Sequence, residues 1–327
     1  MFNISKLGMR KAIQLADDQK FKPLMASYLL NLVGLDENLK CNTEVINFFI
    51  DHFYSSFNAN KNGNMLAWVN LPAPTEIFYA FDIIPFAPEL MASLSSTLGI
   101  AVKDFEMAES YGISRDACSF DSHLIGSCLL NTSPEADMLV STTGTGCDAQ
   151  GKSFEVASYL TGIPVHHMTT PYRNNDPEAI EYYKEELFRL IDFLENFTGK
   201  KLDYEKIKAI VKESNEASKY FRRSYELRKA RPVPIGGIES VAHYSPITNL
   251  YGDVIRTKNF YKSLCDEIEQ RIKDSVGVVD EDAIRIMWLH FPPMHDLGLI
   301  KHIETIGGIV LIPESSLYGG VWRKEKT

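Results

Sequence analysis

Three apolar runs, Asp82 to Phe86, Met138 to Ser141 and Pro164 to Met168, have the length of buried strands, and helix-patterned segments separate them. This alternation limits the fold more than any other feature of the chain. Strands joined through helices pair in parallel, so residues 65–175 read as an α/β domain on a mostly parallel sheet. One intervening helix covers Lys152 to Leu160 and is closed by Gly162. Ahead of the first run, Leu66-Ala-Trp-Val-Asn70 leads into a turn carrying Pro72 and Pro74, then a short amphipathic helix around Glu76 to Phe81. Residues 1–64 read as a helical leader with Val45, Phe48, Phe49 and Phe53 on one face, ending in the polar break Asn58 to Asn64.

Residues 176–280 carry no strand signal. Asp176 and Pro177 open a helix whose stripe is Ile180, Tyr183, Leu187, Leu190, Ile191 and Leu194, with Gly199 at its end. Asp203 caps a second helix with Ile207, Ile210, Val211 and Ala217, which runs into the basic stretch Arg222 to Arg231. Pro232, Pro234, Gly236 and Gly237 break it, and a third helix covers roughly Thr257 to Ile272. From residue 281 the pattern returns to strand, helix and strand: Ile284 to Phe291, Leu297 to Ile306, and Gly308 to Ile312. The fold class expected is therefore α/β: two doubly wound parallel-sheet domains, 65–175 and 281–327, with the helical segment 176–280 between them. Two strands and one helix do not bury both faces of a parallel sheet, so the second domain reads as incomplete, with an open edge and an uncovered apolar face. The tail Tyr318 to Thr327 has no pattern that finishes it. A docking subunit or a shortened form of a longer protein would account for this.

Composition excludes several functions. Of 327 residues, 43 are acidic and 34 basic, a net charge of -9, which argues against sequence-independent nucleic-acid binding. The best apolar run, Leu24 to Leu35, is too short to cross a membrane, and Met1 to Gln19 mixes charges through its apolar residues, unlike a secretory signal. Five cysteines without regular spacing do not suggest a disulfide framework, and a cytoplasmic protein with reduced thiols is expected.

Two of those cysteines sit in loops suited to chemistry. Cys118 lies in Asp116-Ala-Cys-Ser-Phe, after the segment Val102 to Tyr111. Cys147 lies in Thr143-Gly-Thr-Gly-Cys-Asp, directly after the run Met138 to Ser141. Ligands of parallel sheets gather at the carboxyl ends of strands, where a Gly-flanked thiol can approach a cluster or cofactor. The plainer alternative is that each is a small buried hydrophobe, as free cysteines commonly are. The same loop also satisfies G-x-x-x-x-G-K-[ST] over Gly146 to Ser153, in the strand-to-helix context of a phosphate loop, which makes a nucleotide-binding protein a second reading. Against it, Asp148 puts a carboxylate where phosphate would sit, and no later strand ends in an Asp to hold Mg²⁺.

The motifs and their order resemble the 2-hydroxyacyl-CoA dehydratase and benzoyl-CoA reductase subunit family, of the 2-hydroxyglutaryl-CoA dehydratase D-component type. Pro74 to Pro85 is similar to the family's P-x-E-[IL] helix running into a strand that ends at Pro. Asp116-Ala-Cys-Ser, Glu135-Ala-Asp-Met-Leu-Val, and Cys147-Asp followed by Lys152 recur in the family's order. Arg285-Ile-Met-Trp through Glu314 is similar to the opening of its second domain, so the resemblance covers the chain from residue 65 onward.

The resemblance implies a function. The family binds a 4Fe-4S cluster through three Cys thiolates, two of which match Cys118 and Cys147, and Glu76 matches its P-x-E glutamate as a candidate catalytic residue. It implies an acyl-CoA substrate, a related second dehydratase subunit, and a separate ATP-dependent iron–sulfur activator that supplies one low-potential electron. The reaction is radical elimination of water from a 2-hydroxyacyl-CoA, or dearomatisation of an aryl-CoA. An electron added to the thioester carbonyl acidifies a β-hydrogen that ordinary base chemistry does not reach. No residue here matches the family's third cysteine, which belongs to a later Gly-Cys segment. Cys128 is a candidate substitute. Cys265, on a helix face with Tyr261, Ile268 and Ile272, and Cys41, in the leader, read as core. A cluster-less, non-catalytic partner subunit therefore remains a further alternative. His166 and His167, adjacent on a strand, point to opposite faces, so at most one serves a site. Arg222, Arg223, Arg228 and Arg231 offer phosphate contacts or a solvated helix end.

Overall fold

The computed structural model describes Arg10, Ile13 and residues 20–71, 73–144, 147–171 and 176–314. Pro72, Gly146, most of the leader before Lys20, and the tail Tyr318 to Thr327, all singled out above, lie outside these residues. The chain forms two compact units: one is Ser55–Ile210 together with Gly8–Arg10, and the other joins the segment ending at Tyr54 to the segment beginning at Val211.

The Ser55–Ile210 unit is built on four strands, β1 (Met65–Val69), β2 (Ile83–Phe86), β3 (Met138–Gly144) and β4 (Val165–Thr170). They pair in the order β2-β1-β3-β4, all parallel. β1 is central, and residues 66–69 are buried whichever face they point to. The sequence pattern leaves this segment unassigned because a strand covered on both sides shows no alternation.

Alternate residues divide the sheet between two layers. Ala67, Val69, Met138, Val140 and Met168 join a cluster with Ile77 and Phe78 of α3 (Thr75–Ala80) and Leu190 and Leu194 of α8 (Pro177–Thr198). Leu190 and Leu194 are fully buried, each worth about 1.5–3 kcal/mol. Besides α3, four helices connect the strands: α4 (Pro88–Thr97), α5 (Val102–Tyr111), α6 (Ser119–Leu130) and α7 (Asp148–Thr161). α6 packs against α4, α5 and α7, and α7 packs on β3. Gly151 makes the last contact possible, since a Cβ there would come within 2.6 Å of the Thr143 side chain.

The other unit contains α1 (Phe21–Val33), α2 (Lys40–Phe57) as far as Tyr54, α10 (Gly237–Ala242), α11 (Ser245–Asn249), α12 (Val254–Lys273), β5 (Ile284–Trp288), α13 (Gly298–Thr305) and β6 (Gly308–Pro313). The unit boundary at Val211 falls inside α9 (Tyr204–Leu227). β5 and β6 form a separate parallel pair. Two helices, α10 and α13, pack on β6, one more than the sequence pattern suggests, while Ile284 is 71% and Met287 47% exposed on β5. α10 and α11 occupy what reads in sequence as a break, because Pro and Gly dominate residues 232–246, and β5 stops at Trp288 rather than Phe291.

Candidate functional site

From central β1 the chain crosses to β2 on one side, then reaches β3 on the other, so the topological switch point lies between β1 and β3. A crevice outside the carboxyl ends of the strands is expected there. Asn70, the residue after β1, spans this point. Its Nδ2 donates to the Thr142 carbonyl (2.9 Å), and its Oδ1 accepts from the Thr142 N–H and hydroxyl (both 2.9 Å). Asn70 Nδ2 also donates to Gln150 Oε1 (2.9 Å), and Gln150 Nε2 donates in turn to Glu89 Oε1. Glu89 Oε1 also accepts from the Leu71 N–H (3.1 Å). The network thus ties together the ends of β1 and β3, the first turn of α4, and the first turn of α7. Asn70, Glu89 and Gln150 are all buried. Burial raises Glu89 to about 7, and its Oε2 is buried without a hydrogen-bond partner. A carboxyl in that position is a proton reservoir near neutral pH.

Cys147 and Cys118 occupy the same local position in different helices. Cys147 is the N-cap of α7 and Cys118 the N-cap of α6. The first-turn N–H groups of Ala149 and Gln150 face the Cys147 sulfur, and those of Phe120 and Asp121 face the Cys118 sulfur, without a tight cap hydrogen bond at either. Desolvation raises both thiol pKa values, the facing amides oppose it, and the Asp121 carboxylate adds to it. Cys118 also acts on Cys147, so the two cysteines, 29 residues apart in sequence, share one electrostatic environment. Cys118 is exposed and Cys147 half-buried. The structure therefore places each predicted cysteine at a helix N-terminus, within electrostatic reach of the other.

Asp121 stands with them. Its Oδ1 accepts from Ser153 Oγ (2.7 Å), which couples α6 to α7, and its Oδ2 is buried with no hydrogen-bond partner. Sequence reasoning missed Asp121, Gln150 and Glu89. A signal was available for two of them: each cysteine is followed three residues later by a carboxylate or amide, the spacing of a capping box.

The other candidates fall elsewhere. Glu76 is half-buried in the first turn of α3. Cys128 lies in the last turn of α6, ten residues after Cys118 and so about 15 Å along the axis, too far to share a ligand with it. Burial pushes its thiol up to about 12. His166 stacks on Phe193 of α8, while His167 Nδ1 meets Ser141 Oγ (2.7 Å) on the opposite face. Arg228 is buried, beneath solvent rather than in it, and donates to Ser240 Oγ. Among the described residues no group of three His, Cys, Asp or Glu side chains is close enough to hold a single metal ion. Among the same residues, no helix is long and apolar enough to cross a membrane.

The phosphate-loop geometry is not formed by the described part of Gly146 to Ser153. The Lys152 side chain is 83% exposed and pairs with Glu155 at 3.9 Å, and Ser153 is committed to Asp121 and to the Gln150 carbonyl. Ser153 is thus already hydrogen-bonded within the protein, and the Lys152 ammonium stands in solvent.

Residues 70–326 match the family described as 2-hydroxyglutaryl-CoA dehydratase, D-component. The chain is 24% identical over 298 residues to the (R)-2-hydroxyisocaproyl-CoA dehydratase alpha subunit of Clostridioides difficile, covering 88% of this chain and 72% of the relative. It is 25% identical over 223 residues to the (R)-phenyllactyl-CoA dehydratase alpha subunit of Clostridium sporogenes, covering 66% and 54%. It is 26% identical over 226 residues to one of the subunits of the benzoyl-CoA reductase of Thauera aromatica, covering 64% and 51%. The alignments thus span about half to three quarters of these relatives' lengths. The family match takes in both cysteine loops and the β5–β6 unit, and this chain belongs to the 2-hydroxyglutaryl-CoA dehydratase D-component family.

Proposed function

We propose that this chain is the cluster-carrying subunit of a cytoplasmic, oxygen-sensitive radical 2-hydroxyacyl-CoA dehydratase, or of an aryl-CoA reductase. It works with a related second subunit and an ATP-dependent iron–sulfur activator. The observation that supports the reading is that Cys118 and Cys147 each cap the N-terminus of a helix and interact electrostatically. Two positive helix ends with N–H groups turned toward sulfur favour an anionic thiolate-ligated cluster. The donor set fits: two thiols, with the buried carboxyl of Asp121 beside them. Each protein ligand of a cubane holds a different iron, so such a site does not need the tight grouping a single ion demands.

When bound, a 4Fe-4S cluster supplies low-potential one-electron chemistry and an iron with an open position for a substrate oxygen. The chain's own residues hold the site. Cys118 and Cys147 give up their protons to become ligands, which the facing amides assist. The network of Asn70, Gln150 and Glu89 fixes the first turn of α7 and hence Cys147. Glu89, buried behind the first turn of α7, holds a proton more tightly than an exposed carboxyl, and Glu76 is the carboxylate assigned to the substrate side. The thioester class is taken from the relatives, whose names all specify acyl-CoA substrates.

Anaerobic purification with iron and sulfide analysis tests the proposal, with visible iron–sulfur absorption as the expected result. Stoichiometric ATP binding by a chain without iron would overturn it in favour of nucleotide binding. In the assembled enzyme, Glu76→Gln is expected to lower kcat without removing the absorption. A cluster-less, non-catalytic subunit instead predicts that Cys147→Ser leaves the activity of the complex unchanged.

A further inference from the structure

Two cysteines satisfy two of the four irons of a cubane. The Ser55–Ile210 unit has one other thiol, Cys128, and it lies at the far end of α6. Any third protein donor in this unit must therefore be something other than sulfur. His123 is fully buried on α6, five residues past Cys118, but its ring packs on Phe105 and its Nε2 lies 3.7 Å from Asp104, on another face of the helix. Glu89 has a free Oε2, yet its Oε1 is the hub of the network that holds Leu71 and Gln150.

Asp121 differs from both. It is 7% exposed and its charge acts on both Cys118 and Cys147. Its Oδ1 is anchored by Ser153 Oγ at 2.7 Å, the Cys118 thiol interacts with the same carboxyl, and Oδ2 is buried without a hydrogen bond of ordinary geometry. An orphaned carboxylate oxygen in a low-dielectric site costs stability unless a cation or proton meets it. In a capping box the third-position carboxylate turns back to the N-cap amide. Here it is held across to α7 instead, beside the thiol of its own N-cap.

We propose that Asp121 is a third protein ligand of the cluster, bonding one iron through Oδ2 while Cys118 and Cys147 bond two others. This rests on the reading that the chain carries a cluster. The carboxylate oxygen donates an electron pair to the iron, and no oxidation state changes in that step. Oxygen is a harder, weaker donor to iron–sulfur iron than thiolate, so the iron held by Asp121 is the labile one.

The test compares the anaerobically reconstituted full chain as wild type, Asp121→Asn, Asp121→Cys and Cys128→Ser. The readouts are iron and sulfide per chain, visible absorption, and the electron paramagnetic resonance of the reduced protein. Asp121→Asn is expected to lower iron affinity by about tenfold or more, since losing an outer-shell partner alone costs that much. Asp121→Cys is expected to keep the iron but to gain thiolate-to-iron charge-transfer absorption and a shifted resonance, and Cys128→Ser to match wild type. An Asp121→Asn protein with wild-type iron, sulfide and resonance would overturn the ligand assignment. So would an Asp121→Cys protein whose cluster spectrum is identical to wild type. Wild-type chain that folds but takes up no iron would instead overturn the cluster reading itself, and this inference with it.

Discussion

The chain carries two pairs of cysteines, one in each compact unit, and in each pair one thiol acts electrostatically on the other. Proximity alone therefore does not distinguish a ligand pair from a structural one. In the pair Cys41 and Cys265, Cys41 is the second residue of α2, so it too stands at a helix start. There the amides of Lys40 and Cys41 donate to the Glu267 carboxylate (2.7 and 3.1 Å), which supplies the negative charge the helix end prefers. Cys265 lies within α12 and donates from its Sγ to the Tyr220 carbonyl (3.2 Å). Both are buried, and burial pushes Cys265 up to about 12 and Cys41 higher. At Cys118 and Cys147 the helix-end amides face the sulfur itself, and solvent reaches the thiols. What separates the pairs is which acceptor takes the first-turn N–H groups.

The largest effects are expected from the cysteines. Cys118→Ser and Cys147→Ser should each abolish the iron–sulfur absorption, because a serine alkoxide replaces a soft thiolate poorly. Cys41→Ser and Cys265→Ser should leave it intact. Equal losses from all four substitutions, measured as iron per chain, would erase the distinction.

A smaller effect is expected at the network behind Cys147. Glu89 is raised from 4.5 to about 7, so between those values the folded chain holds a proton that the unfolded chain has released. Stability then falls as pH rises through that window, by roughly 3 kcal/mol if the whole shift is realised. Glu89→Gln is neutral throughout and presents an N–H group where the acid carries its proton. Urea unfolding of the apo chain at pH 5 and pH 8 should show the wild type losing more stability than Glu89→Gln. Parallel pH profiles for the two would exclude the buried acid.

The smallest effect sharpens the other side of the contrast. Glu267→Gln weakens the charge-assisted cap on α2 and should cost about 1 kcal/mol of stability while leaving iron content unchanged. Loss of iron without loss of stability would mean that Glu267 acts on the site rather than on the helix start.

Much of the architecture was legible along the chain. The helix ends at Gly162 and Gly199 follow from left-handed glycine caps, with φ of 73 and 70. The opposite orientations of His166 and His167 follow from the period of a strand. β1 escaped notice because burial on both faces removes alternation, and α10 because Gly236 and Gly237 read as a break. Gly237 instead admits close packing, since a Cβ there would lie 2.8 Å from the Ile300 side chain.

By itself the sequence determined most of the element types, the parallel α/β class, the family, and the two loops that carry Cys118 and Cys147. Each follows from local spacing or motif order within a few tens of residues. Only the tertiary structure decided that these loops interact electrostatically, that Asp121 and Glu89 are buried, and that Cys128 lies at the far end of α6 from Cys118. These are properties of pairs: Gln150 meets Glu89 across 61 positions and Asn70 across 80. Whether a polar atom is buried and satisfied depends on which distant segment packs against it, and no local pattern encodes that.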